Sequence, residues 1–86
     1  MRKTKKLKKV PLVAIPCLKL GRLGFQVERL QNDLNYIMKA GIEVNGIFGF
    51  ETWDALRKFQ EKYELIVDGV YGIECYKMMR QLIEGR

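Results

Sequence analysis

The 86-residue chain has room for one domain, which should bury roughly two-thirds of its unfolded surface, and 48% hydrophobic residues with only two prolines suit a folded chain rather than a disordered one. With no histidine, Ser-His-Asp and Cys-His catalysis, HExxH helices and His-containing zinc sites are excluded, and two cysteines, both expected to be reduced, are too few for a thiolate zinc site or a disulfide framework. Net charge is +6, but Arg2, Lys3, Lys5, Lys6, Lys8 and Lys9 all precede residue 10, which leaves ten basic and ten acidic residues in a neutral body and argues against a nucleic-acid partner.

In chain order, the basic start and the apolar run from Val10 to Leu18 imitate a secretory signal. Pro11 and Pro16 break the run, Lys19 ends it, and no Ala-x-Ala pattern follows. The run is also far short of the roughly 20 apolar residues that span a bilayer. Residues 1–15 are therefore expected to form a basic arm, and residues 16–86 the domain.

Next comes Gly21-Arg22-Leu23-Gly24-Phe25, opening a first predicted helix from Phe25 to Lys39. Ile42-Glu43-Val44 is a β-favouring stretch, expected to be an extended connector. It leads into Val44-Asn45-Gly46-Ile47-Phe48-Gly49-Phe50-Glu51 and a second predicted helix from Phe50 to Tyr63. The connector pattern returns as Leu65-Ile66-Val67, and the turn returns 23 positions later as Val67-Asp68-Gly69-Val70-Tyr71-Gly72-Ile73-Glu74. A third helix is expected from Ile73 to Ile83.

A Gly-x-x-Gly-apolar unit thus occurs three times, each time before helix-spaced apolar residues. Counted from the second glycine, the third position is Val27, Thr52 or Cys75 and the tenth is Leu34, Phe59 or Leu82. The sixth and seventh are Leu30-Gln31, Ala55-Leu56 or Met78-Met79, so these offsets trace one face of a helix. Asn-Gly and Asp-Gly favour the positive φ of a tight turn. Glu51 and Glu74 then fall in the first helical turn, where a carboxylate suits the positive end of the helix dipole. The fold expected is all-α, a three-helix bundle with repeated Gly-x-x-Gly turns and short extended connectors.

The ordered pattern Gly21-x-x-Gly24, Leu30-Gln31, Asn45-Gly46-x-x-Gly49, Thr52-x-x-Ala55, Phe59-Gln60 and Asp68-Gly69-x-x-Gly72 resembles the three-helix peptidoglycan-binding domain family found beside cell-wall hydrolases. The resemblance covers roughly residues 16 to 84. Asn45 departs from the more usual Asp, and Cys75 stands where threonine is expected. The resemblance implies a non-catalytic module, without cofactor or metal, that binds peptidoglycan and holds a lytic enzyme or a phage or cell-surface assembly at the bacterial cell wall.

Sugars offer C–H faces to aromatic rings and hydroxyls to amides. Trp53, outside the buried stripe, and Tyr76, its counterpart in the third helix, are therefore ligand candidates. Tyr71 lines up with Phe48, which favours a core ring for both. Asn32 and Asn35 on the polar side of the first helix are further ligand candidates, as are Gln31 and Gln60, whose amides also suit bonding to the glycine turns. Two other readings stay open. The lysine arm is suited to gripping an anionic polymer by counterion release, and the apolar-basic segment to docking on another chain in a structural assembly.

Overall fold

The computed structural model describes residues 17–85. The basic arm, the boundary expected near residue 15, and all of the apolar run except Cys17 and Leu18 lie outside the described residues. Three helices form as the repeat predicts: α1 Phe25–Met38, α2 Phe50–Lys62 and α3 Ile73–Glu84. Each follows a glycine, and no side chain caps any of the three. Instead the glycine carbonyls begin the helical ladders, accepting from the N–H of Glu28 at 3.2 Å, Trp53 at 3.0 Å and Tyr76 at 3.0 Å. Glu28, Glu51 and Glu74 occupy the first turns, where their charge favours the helix start.

Helix α1 ends one residue before the expected Lys39, which turns left-handed at φ 54° while its N–H returns to the Asn35 carbonyl. Helix α2 also stops one residue early, and α3 runs one residue further than expected. Such shifts are small because the apolar stripe, not the terminal residue, fixes where a helix can pack.

Helix α1 packs against both α2 and α3. Val27, Leu30, Leu34 and Ile37 of α1 share one core with Ala55, Leu56 and Phe59 of α2 and with Cys75 and Met79 of α3. Leu18, Ile42, Phe48 and Tyr71 complete it from the connecting segments, so Phe48 and Tyr71 are both core rings. On α3 the stripe is shallower: Met78 and Leu82 are only partly buried. Among the described residues no further turn unit follows α3 to cover that side.

The residues before α1 cross both turns. Leu18 and Tyr71 exchange two backbone hydrogen bonds, of 3.2 and 2.8 Å. Gly21 donates to the Phe48 carbonyl at 2.9 Å, Phe48 to Arg22 at 3.0 Å, and Gly24 to Gly46 at 3.0 Å. These contacts leave two isolated antiparallel bridges, Leu18 with Tyr71 and Leu23 with Ile47. No strand develops among the described residues. The β-favouring stretches 42–44 and 65–67 stay irregular, because the crossing segment runs beside the residues after the turns rather than those before them.

Candidate functional site

Two buried side-chain amides organise the surface. Gln31 reaches from α1 into the Asn45-Gly46 turn, where its Oε1 accepts the N–H groups of Asn45 and Gly46, both at 2.9 Å. Its Nε2 faces the Thr52 Oγ at 2.9 Å, the Ile47 carbonyl at 3.0 Å and the Asn45 Oδ1 at 3.1 Å. Gln60 does the same from α2, accepting from Asp68 at 3.1 Å and Gly69 at 2.9 Å. Its Nε2 faces the Asp68 Oδ1 at 2.9 Å, the Val70 carbonyl at 3.1 Å and the Cys75 Sγ at 3.3 Å. Asn45 and Asp68 each accept a further N–H two residues on, at 3.0 Å.

Both glutamines are only 1% exposed, and a buried amide is tolerated when both of its ends are bonded. Their spacing is consistent with this role. Gln31 lies seven residues after Gly24 and Gln60 eleven after Gly49, one helical turn apart on the same face. Thr52 and Cys75 also match: the hydroxyl lies 3.5 Å from the Ile47 carbonyl and the thiol 3.6 Å from that of Val70. Burial pushes the Cys75 thiol up, and the bond from Gln60 offsets part of that shift. Cys17 and Cys75 are both free thiols.

Each turn is also covered from outside by the residue four after the preceding glycine. Glu28 packs on Gly46, and Trp53 packs on Gly69 so closely that an added methyl group would overlap the indole Nε1 and lie 2.6 Å from Cδ1. Trp53 is therefore half-buried against a turn as well as against the edge of the core. Arg57 lies over its ring at 4.7 Å, and Phe50 stands edge-on at 6.1 Å.

The other candidates are dispersed. Tyr76 is half-buried in the seam between α1 and α3, 5.9 Å from Arg80, whose other contact is Asp33 at 3.5 Å. Burial raises the Asp33 pKa against the lowering effect of Arg80 and Arg29, and the Tyr71 hydroxyl is pushed up by burial and by Asp33. Asn35 pins the first connector, donating to the Ile42 carbonyl and accepting its N–H, both at 2.9 Å. Asn32 is exposed on α1. The six residues thus fall into two turn supports, a connector pin, a seam aromatic, an exposed amide and Trp53, not into one cleft.

Phe50, 75% exposed beside Trp53, is absent from the sequence-derived candidates. Phe25 occupies the same place at the start of α1 and is 65% exposed. The signal was present: one residue after the glycine is off the face traced by offsets of three, seven and ten. Among the described residues no group of acidic, thiol or imidazole side chains is arranged to hold a metal ion. None of their helices is long and apolar enough to cross a membrane.

Both amide-held turns lie within residues 24–79, the stretch that matches the family described as peptidoglycan binding domain. The chain belongs to this family. Over 73 residues it is 38% identical to a spore cortex-lytic enzyme of Bacillus cereus, covering 85% of this chain and 28% of that enzyme. It is 46% identical over 56 residues to an autolytic lysozyme of Clostridium acetobutylicum, covering 65% of this chain and 17% of the lysozyme. The chain therefore spans less than a third of the length of these relatives.

Among solved structures, the SleB N-terminal domain is similar with a TM-score of 0.73 and 38% identity, over 77% of this chain and 90% of that one. A Burkholderia AP3 phage endolysin aligns with a TM-score of 0.66 and 33% identity, over 81% of this chain and 25% of the endolysin. The family match spans the two turns that Gln31 and Gln60 hold.

Proposed function

We propose that this chain is a non-catalytic module that binds bacterial cell-wall peptidoglycan and so anchors a lytic enzyme, or a phage or cell-surface assembly, to the wall. The observation that carries the reading is the family match across both turns. Its likeness to parts of a cortex-lytic enzyme, an autolytic lysozyme and a phage endolysin supports attachment as its share of the work.

The glycan surface we favour is the exposed ring of Phe50 with the half-buried Trp53 and Arg57 beside it. Aromatic faces stack on sugar C–H groups, and a guanidinium donates to hydroxyl and acetamido oxygens. Gln60 supports this surface from behind by holding the turn on which Trp53 packs; Gln31 and Asn35 hold the first turn and connector, while Asn32 and Tyr76 remain peripheral candidates for contact.

The test is co-sedimentation with peptidoglycan sacculi stripped of anionic polymers, at low and high salt. Pelleting should persist in high salt and in a chain lacking residues 1–9, and should fall sharply in Phe50→Ala and Trp53→Ala variants whose helical circular dichroism is intact. Pelleting that vanishes with salt or with the arm would replace this reading by an electrostatic one seated on the lysines.

A further inference from the structure

Beside the second turn opens a cavity of about 420 Å³, bounded by residues 64–66, the Asp68 turn and the first residues of α3. Leu65, Ile66 and Ile73 supply apolar lining, and Glu64, Asp68 and Glu74 bring three carboxylates to the same space. No lysine or arginine lines it. Among the described residues none of these carboxylates is ion-paired. One Asp68 oxygen is engaged by Gln60 and by the Val70 N–H, while Glu64 and Glu74 enter no side-chain hydrogen bond there.

The 23-residue repeat supplies an internal control. At the positions of Glu64 and Asp68 the first unit has Gly41 and Asn45, and it has Glu43 in place of the apolar Ile66. An apolar lining with acids at both the connector and the turn is therefore specific to the second unit. A ligand complementary to it carries a positive charge at the end of an aliphatic chain, because methylenes gain from the apolar wall and an ammonium from the carboxylates. A metal ion is a poorer match, since these acids form no metal-binding group.

Building on the wall-binding reading, we propose that this cavity receives the free primary ammonium of an uncross-linked stem peptide. The diamino-acid side chain lies along Leu65, Ile66 and Ile73, and its terminal nitrogen meets Glu64, Asp68 and Glu74. Asp68 also belongs to the turn on which Trp53 packs, so glycan and peptide contacts adjoin through one structural element. Cross-linking converts that amine to an amide and removes its charge. The module accordingly prefers lightly cross-linked wall.

The test uses the full chain and the peptide N-acetyl-alanyl-isoglutaminyl-lysinamide, whose one free amine is on the lysine side chain, against the same peptide acetylated there. Backbone amide NMR shifts should saturate at Ile66 and Glu74. Affinity should be roughly tenfold lower for the acetylated peptide and for the Glu64→Gln, Asp68→Asn, Glu74→Gln triple variant, since several individually modest charge contacts are lost together. Asp68→Asn keeps the acceptor oxygen that Asn45 supplies in the first turn, so the variant should fold. No shifts at millimolar peptide, equal binding of both peptides, or an unaffected triple variant would overturn the proposal. Sacculus pelleting separates the two failures: pelleting without amine dependence leaves wall binding standing and removes only the ammonium site, whereas no pelleting removes both.

Discussion

The two turn units are nearly the same object in hydrogen bonding and different objects in chemistry. In each, one glutamine accepts two successive N–H groups and donates toward a carbonyl, an Asx oxygen and the third residue of the next helix. The first unit uses Asn45 and Thr52 under Glu28; the second uses Asp68 and Cys75 under Trp53. The comparison separates what the fold requires from what it permits. The amide, the glycine and a polarizable or hydroxyl partner are required, while charge, aromaticity and rim residues are free to vary and so to acquire a ligand.

The largest expected effect comes from breaking the shared part. Gln31→Ala or Gln60→Ala leaves one buried and one part-buried N–H group without their partner, and each should cost about 3 kcal/mol of stability in a urea titration. A loss below about 1 kcal/mol in either variant would mean that water replaces that amide and that the units are not equivalent.

Gly69→Ala comes next. It places a methyl group against the indole at a backbone φ of +72° and should cost about 2 kcal/mol, with a shift in the emission of Trp53, the only tryptophan. Gly46→Ala meets the Gly24 carbonyl at 3.2 Å and the flexible Glu28 side chain at 3.3 Å, so it should disturb its cover less. Unchanged Trp53 emission in Gly69→Ala would contradict the packing that distinguishes the units.

A smaller effect, of opposite sign, tests the rim. Glu64 holds φ +59° where its counterpart Gly41 holds +68°. Left-handed backbone disfavours a side chain by about 1 kcal/mol, so Glu64→Gly should raise the thermal midpoint. If the cavity binds an ammonium, the same change should weaken that binding. The smallest effect is expected from Cys75→Thr, which makes the second unit resemble the first. Exchanging a weak sulfur partner for a hydroxyl should add about 0.5 kcal/mol, and a loss would show that the site is shaped for sulfur.

The helices were legible because glycine spacing and apolar offsets repeat together, so each helix start and buried face is stated more than once. The supporting role of Gln31 and Gln60 was legible for a related reason: a polar residue beside a core stripe must find partners, and a glycine turn has N–H groups to offer. Trp53 could be placed off the stripe, but what it packs on depends on how α2 meets a turn sixteen residues later. The exposure of Phe50 was signalled only by its offset from the glycine, and the cavity at Glu64 was not signalled at all. Phenylalanine is usually read as core, and a rim assembled from a connector, a turn and a helix start has no periodicity in sequence.

The first turn also bears on how the protein ages. Asn-Gly is the dipeptide most prone to spontaneous deamidation, because the glycine nitrogen can attack the asparagine side chain with little steric hindrance. Here that nitrogen donates to Gln31 Oε1 at 2.9 Å, and the asparagine oxygen is held by Gln31 and by the Ile47 N–H. While the domain is folded, the attacking and attacked groups are each committed elsewhere. Conversion at Asn45 is therefore a clock that runs in the unfolded chain and is nearly stopped in the native one.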